Sequence, residues 1–93
     1  MKTYGGKNAF FGTNPICFAA PRKNKEPYCL DMSTTNISWN KLLNYKTLRK
    51  KLPHNIAADN KGHSTIFPEL AKTLLPIGDY KGFGLASMIE ILC

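Results

Sequence analysis

An α/β fold is predicted for this chain of 93 residues from three observations. Two short apolar runs, residues 16–20 and 27–32, are joined by a charged connection of hairpin-loop length. Apolar residues recur at helical spacing within residues 36–50 and again from Leu85 to Leu92. Proline or glycine separates these segments from one another. At this length we expect one domain or a piece of one.

The two apolar runs are predicted to be paired strands of a hairpin. A turn signal at residues 12–15, Gly-Thr-Asn-Pro, precedes the first run. Both runs are too continuously apolar for a sheet with one solvated face, so we expect both faces to be covered. Cys17 and Cys29 lie within the runs and are expected to behave as small hydrophobes in the strands.

A helix is predicted near residues 36–50. Residues 33–36, Ser-Thr-Thr-Asn, are all types that favour the N-cap position. An imperfect apolar face follows, and Pro53 ends the helix because it has no amide hydrogen.

A loop is predicted over residues 53–67, with a turn at residues 59–62, Asp-Asn-Lys-Gly. A second helix is predicted over residues 68–75, because proline suits the first helical turn and Pro76 would stop the helix. A last helix is expected to begin near Lys81.

The loop before the last helix is a candidate anion site. Free amides and the positive end of the helix dipole attract anions at a helix N-terminus. Gly82 and Gly84 lack a Cβ atom, so a phosphate could approach the backbone closely. Lys81 opposes the dipole in the first turn, which favours a bound anion there. The alternative is a glycine-rich helix start with a solvated lysine.

The end of the second strand has two interpretations. Asp31 follows apolar residues, where a carboxylate needs partners if it is buried. Residues 31–33, Asp-Met-Ser, are then either a strand end that leads to a helix cap or a strand-to-helix turn whose polar groups face a ligand.

The net charge of +7 favours polyanions in general, and its densest cluster is residues 46–51. Cations suit the end of a helix, so a solvated helix terminus explains this cluster first. No RNA-binding sheet signature, zinc finger or helix-turn-helix pattern lies beside it, so nucleic-acid binding is the weaker alternative.

Other features bound the environment of the chain. No apolar run reaches 18 residues and the start lacks the apolar core of a signal peptide, so no membrane role is expected. Three cysteines without metal-ligand spacing indicate reduced thiols in a cytosolic protein. His54 and His63 lie among polar residues and are expected at the surface. We predict no metal site.

Three motifs follow one another in the chain: residues 12–16 (Gly-Thr-Asn-Pro-Ile), 30–34 (Leu-Asp-Met-Ser-Thr) and 75–85 (Leu-Pro-Ile-Gly-Asp-Tyr-Lys-Gly-Phe-Gly-Leu). In this order and spacing they resemble the malate/L-lactate dehydrogenase-like family. The turn at residues 58–62 also resembles an aspartate- and glycine-containing turn of that family. Each motif alone is weak, but the resemblance spans nearly the whole chain.

This resemblance implies an oxidoreductase that uses NAD or NADP and moves hydride between the nicotinamide and a small 2-hydroxy or 2-oxo acid. It also implies a homodimer. The expected domain is the family's own mixed-sheet, non-Rossmann α/β cofactor-binding domain, of which residues 1–93 would be a part. Consistently, no Gly-x-Gly-x-x-Gly motif follows a strand in this sequence.

The resemblance also implies which residues contact the cofactor. By position, Asp31, Met32 and Ser33 match the family's strand-end segment that contacts it. Tyr80 and Lys81 match a second contact, where the lysine is expected to meet phosphate or ribose.

The sequence departs from the family at two positions. Asn40, beside Lys41, stands where the family has a glycine, and Asp79 stands where a glycine is common. Asp79 adds a negative charge two residues from Lys81, which should weaken phosphate binding.

The family's catalytic histidine would precede this chain, and neither histidine here matches it. We therefore predict no catalytic residue and expect a fragment that is inactive alone. The alternative is a non-catalytic binding or dimerisation module derived from the same family.

Overall fold

The protein is described by a computed structural model that covers all 93 residues. It contains strands and two α-helices, so the predicted α/β class is confirmed. Every pair of strands within it is antiparallel. The elements in chain order are β1 (Ile16–Arg22), β2 (Lys25–Met32), α1 (Trp39–Thr47), β3 (Ala57–Ala58), β4 (Ser64–Thr65), β5 (Thr73–Leu74) and α2 (Tyr80–Leu92).

The first two strands form the predicted antiparallel hairpin, in a register that pairs Ile16 with Met32 and Cys17 with Asp31. The register shifts between Ala20 and Arg22, where a bulge increases the local twist. The prediction that both faces are covered is wrong within this chain, because most side chains of both strands are exposed. No other element of the chain packs over the hairpin closely enough to bury it.

Helix α1 begins at Trp39, three residues later than predicted, because Ser38 is its N-cap. The Ser38 side chain accepts a hydrogen bond of 3.2 Å from the Lys41 amide. Residues 33–36, which the sequence favoured as caps, form hydrogen bonds to other parts of the backbone instead. Leu42 is the buried residue of α1. It joins a small core with three further apolar residues, Leu52, Ala57 and Leu74.

The predicted loop over residues 53–67 contains two short strands, β3 and β4, and the predicted helix over residues 68–75 is wrong. Only one 3-10 turn forms, Pro68–Leu70, and the chain then extends into β5. The sheet order is β4-β3-β5. A helix limited to residues 68–75 would have little stability of its own. Thr73 and Leu74 instead bury their side chains by pairing with Ala57 and Ala58.

Helix α2 begins at Tyr80, one residue before the predicted start near Lys81. The N-terminal segment packs along it through aromatic rings. Phe11 stacks on Phe83 at 5.6 Å, and Tyr4 meets Tyr80 edge-on at 6.1 Å. Neither α1 nor α2 has the length and apolar content of a helix that crosses a bilayer.

Candidate functional site

The three sequence motifs meet at one buried residue, Thr34. Its amide donates to the Thr13 carbonyl oxygen at 3.0 Å. Its hydroxyl lies 2.9 Å from that oxygen and 3.0 Å from the carbonyl oxygen of Asn14. Its own carbonyl accepts the Ile77 amide at 2.9 Å. Thr34 is fully buried, so these bonds replace the water that its polar atoms lose on folding.

The first motif is also tied directly to α2. The side-chain amide of Asn14 donates to the Ala86 carbonyl oxygen and to the Glu90 carboxylate, each at 3.0 Å. Asn14 has a φ of 36°, a left-handed conformation that asparagine tolerates better than most residues. The turn after residue 12 thus joins the end of β2 to the middle of α2.

The backbones of the second and third motifs run side by side. Thr35 and Pro76 form an isolated antiparallel bridge. The Asn36 amide donates to the Leu75 carbonyl oxygen at 3.1 Å, on the far side of that bridge from the bond between Thr34 and Ile77. Two stretches that lie about forty residues apart in sequence are therefore fixed in one local structure.

The predicted contact residues belong to the two segments that this bridge joins, and they lie on the side of the bridge where Thr34 bonds to Ile77. Asp31 is exposed, so its carboxylate needs no protein partner, and Met32 and Ser33 are half-buried. The Ser33 hydroxyl donates to the Thr35 carbonyl oxygen at 3.0 Å. Tyr80 and Lys81 are exposed in the first turn of α2.

The backbone of the predicted anion site differs from the expectation. The Lys81 amide donates to the Gly78 carbonyl oxygen at 3.1 Å, and the Gly82 amide donates to that of Ile77 at 2.7 Å. These first-turn amides are satisfied by the preceding loop, so the expectation that they are free for an anion is wrong. The Lys81 ammonium remains exposed and can meet an anion here.

Gly82 serves packing rather than ligand approach. A Cβ at this position would clash with the Ile77 carbonyl oxygen and lie 2.6 Å from the Ile77 nitrogen. Gly84 differs, because a Cβ there would meet nothing within 4 Å. Only Gly84 leaves open space beside the helix.

Asp79 occupies a backbone conformation that suits glycine. Its φ of 52° and ψ of −110° resemble the first central residue of a type II′ turn. Its side chain makes no capping hydrogen bond to α2 and is exposed. The departure from glycine noted in the sequence therefore falls on a residue whose backbone conformation favours glycine.

The open clefts divide into one beside the motifs and others apart from them. A cleft of about 260 Å³ is lined in part by Gly12, Thr13 and Trp39, next to the Thr34 junction. A larger cleft of about 470 Å³ is basic and contains none of the predicted contact residues; it is lined by Lys46, Arg49, Lys50, Lys51, Phe67, Pro68 and Glu69. The cleft near Trp39 was not predicted, because it forms between distant segments.

The turn at residues 59–62 is confirmed. The Asp59 carboxylate accepts the Lys61 amide at 2.9 Å and the His63 amide at 3.0 Å. The hydrogen bond from the His63 amide is the main cause that lowers the pKa of Asp59. His54 and His63 are exposed, as predicted. No group of three His, Cys, Asp or Glu side chains is arranged to hold a metal ion.

Comparison with the sequence models of known families assigns the chain to one of them. The sequence model of malate/L-lactate dehydrogenase matches residues 1–93. The chain belongs to this family.

Similar proteins carry related activities in their names. The chain is 37% identical over 94 residues to the (2R)-3-sulfolactate dehydrogenase (NADP(+)) of Chromohalobacter salexigens, a match over 99% of this chain and 28% of that protein. It is 38% identical over 89 residues to the ureidoglycolate dehydrogenase (NAD(+)) of Escherichia coli O157:H7, a match over 96% of this chain and 26% of that protein.

A solved structure has the same fold. It is the delta1-piperideine-2-carboxylate reductase of Pseudomonas syringae pvar. tomato, with a TM-score of 0.92 and 34% identity over 98% of this chain and 28% of that one. The chain thus spans about a quarter of the length of the relatives that it matches.

Proposed function

We propose that this chain forms part of the nicotinamide cofactor site of an NAD- or NADP-dependent oxidoreductase that acts on a small 2-hydroxy or 2-oxo acid. The observation that carries the proposal is the junction at Thr34, which holds both predicted contact segments in one local structure. Membership of the malate/L-lactate dehydrogenase family supports it. The names of the two dehydrogenase relatives, one NADP-dependent and one NAD-dependent, support the cofactor class.

The donor set suits such a cofactor. Lys81 offers an exposed ammonium group to phosphate or ribose oxygens, and Asp31 offers an exposed carboxylate to hydroxyl or amide donors. Met32, Ser33 and Tyr80 complete the proposed contact surface. The cofactor when bound supplies or accepts the hydride, and the residues of this chain bind and orient it. We place these contacts in the family's own non-Rossmann cofactor domain, of which this chain would be a part.

Proton transfer requires a further group, and neither histidine of this chain lies at the proposed site. Hydride transfer to or from a hydroxyl carbon needs a proton donor or acceptor beside that hydroxyl. His54 and His63 are exposed and lie in the segment between α1 and β4, outside the motif junction. We therefore expect the 93-residue chain to bind cofactor without catalysing the reaction.

A second role, as a dimerisation surface, is favoured by the hairpin. Phe18 and Tyr28 contact each other on one face with ring centroids 6.2 Å apart, yet they are 58% and 51% exposed. Apolar surface of this kind often marks an interface. We therefore propose that the hairpin pairs with a second copy of the chain in a homodimer. A cytoplasmic location is also proposed, in keeping with the three free thiols.

The test is a titration of the chain with NADH and NADPH, followed by the fluorescence of Trp39. This tryptophan lines the cleft beside Thr13, so it is placed to report binding at the junction. Replacing Lys81 by alanine removes a charge-assisted contact, and we expect about tenfold weaker binding. Lys23→Ala is the matched control, because Lys23 is also exposed but lies in the hairpin turn.

Equal loss of affinity in both variants would indicate only a general charge effect and would reject the assignment of Lys81. Absence of saturable binding by a well-folded chain would reject the cofactor site. In that case the dimerisation role is tested by the mass of the chain in solution.

A further inference from the structure

The hairpin brings two cysteines to the same face. Because Cys17 lies opposite Asp31 and Ala19 lies opposite Cys29, both thiols point to one side of the ribbon. The two cysteines are diagonal neighbours, because Cys29 lies on the same strand as Asp31, the residue opposite Cys17, and two positions before it. Diagonal neighbours on one face lie about 7–8 Å apart, and the strong twist of a two-stranded ribbon brings the side chains along one diagonal closer together.

Two observations favour a close approach of side chains along this diagonal. On the opposite face, Phe18 and Tyr28 stand in the same diagonal relation, and their rings are in contact range at 6.2 Å. On the cysteine face, partial desolvation followed by the charges of the neighbouring Cys29 and Asp31 raises the pKa of the Cys17 thiol. The bulge after Ala20 adds twist in the same ribbon.

Both thiols are also accessible to reagents. Cys17 and Cys29 are free and exposed, and no other segment of the chain covers this face. The third cysteine, Cys93, follows the last residue of α2, outside the hairpin. Its rate of oxidation serves as an internal comparison, because Cys93 is an exposed thiol that does not lie opposite another cysteine.

We propose that Cys17 and Cys29 form a dithiol site that a peroxide oxidises to a disulfide between the two strands. This site is separate from the proposed cofactor contacts and does not depend on them. Exposed disulfides can be reached by reducing thiols, so the modification is expected to be reversible.

The reaction balances in two steps. We assign the first attack to Cys29, because the raised pKa of Cys17 disfavours its thiolate. The Cys29 sulfur forms a bond to one peroxide oxygen, the O–O bond breaks, and a sulfenic acid and water result. The Cys17 sulfur then attacks the Cys29 sulfur, the S–O bond breaks, and a second water leaves. Two thiols are oxidised and one hydrogen peroxide is reduced to two waters.

The test treats the purified 93-residue chain with hydrogen peroxide at low protein concentration and then blocks the remaining thiols. Trypsin cuts between the two cysteines, after Arg22, Lys23 or Lys25, so a disulfide would hold two tryptic peptides together. We expect mass spectrometry to find this linked pair, two thiols lost per chain, and Cys93 still free. Dithiothreitol should separate the peptides.

Single variants separate the two steps. In Cys17→Ser the Cys29 sulfenic acid has no neighbouring thiol in the hairpin to resolve it, so we expect it to accumulate and react with dimedone. In Cys29→Ser we expect less dimedone adduct under the same exposure. Cys93→Ser should form the disulfide as the unsubstituted chain does.

The proposal is overturned if the unsubstituted chain yields no linked peptides. It is equally overturned if Cys17, Cys29 and Cys93 oxidise at similar rates to separate acids, or if the product is a dimer joined through Cys93. Peptide mapping of the unsubstituted chain decides the matter even if a variant fails to fold.

Discussion

Replacing Asp79 by glycine should stabilise the protein. Asp79 holds a φ of 52° and a ψ of −110° at the entrance to α2, and its side chain makes no capping hydrogen bond. A non-glycine residue in such a region costs about 1–3 kcal/mol of strain. Glycine removes this strain without losing a contact, because the Asp79 side chain is exposed.

Two smaller effects oppose the gain. Glycine makes the unfolded chain more flexible, which costs about 0.4–1 kcal/mol. A carboxylate at a helix N-terminus interacts favourably with the dipole by about 0.3–1 kcal/mol, and this interaction is lost. The net expectation is about 1 kcal/mol in favour of Asp79→Gly, or a rise in Tm of roughly 4–8 °C for a chain of this size.

The assay is thermal unfolding followed by circular dichroism, with Asp79→Ala as the matched variant. Alanine removes the same charge but keeps the strain, so it should not be stabilised. If Asp79→Gly melts at or below the temperature of Asp79→Ala, the backbone at residue 79 is not strained and the reasoning fails. Both variants remove a negative charge near Lys81, so both should bind NADH more tightly than the unsubstituted chain.

Three further outcomes are expected. Gly82→Ala should destabilise the protein by about 1–3 kcal/mol, because the added Cβ would clash with the Ile77 backbone. Gly84→Ala should instead stabilise the protein by about 0.5–1 kcal/mol, because the added Cβ meets no other atom. Thr34→Val should cost about 1–3 kcal/mol, because the partly buried carbonyl oxygens of Thr13 and Asn14 lose the hydroxyl donor that they share. Because folding lowers the pKa of Asp59, this carboxyl stabilises the protein at pH values above its ordinary pKa of 3.8. This contribution is lost as the pH falls through the folded-state pKa.

These outcomes are checked by urea unfolding. Equal effects of alanine at positions 82 and 84 would contradict the packing role of Gly82. A Thr34→Val variant as stable as the parent would show that the junction contributes little. For Asp59, the free energy of unfolding is measured between neutral and acidic pH and compared with that of Asp59→Asn. The loss of stability that Asp59 causes at acidic pH should be absent in the variant. A variant with the same pH profile as the unsubstituted chain would show that Asp59 does not cause it.

Sequence reasoning succeeded where the signal is local. The hairpin, the turn at residues 59–62 and the last helix, expected near Lys81 and found from Tyr80, were predicted from turn residues and hydrophobic spacing. The contact roles of Asp31, Met32, Ser33, Tyr80 and Lys81 remain proposals.

The errors arose where a distant segment competes with a local preference. Residues 73–74 have helix-forming neighbours, yet they pair with Ala57 and Ala58 because this buries Thr73 and Leu74. Residues 33–36 looked like helix caps, but Thr34 and Thr35 bind other backbone segments and Ser38 caps α1.

The sequence by itself determined which motifs are present, their order and the local turns that flank them, because these depend on residue type and near neighbours. Only the tertiary structure decided that the motifs meet at Thr34, that Gly82 is required for close packing against Ile77, and that Cys17 and Cys29 share a face. Each of these depends on backbone groups that folding brings together from separate positions in the chain. Hydrogen-bond and steric energies depend on distance in space, and the spacing of residue types along the chain does not encode those distances.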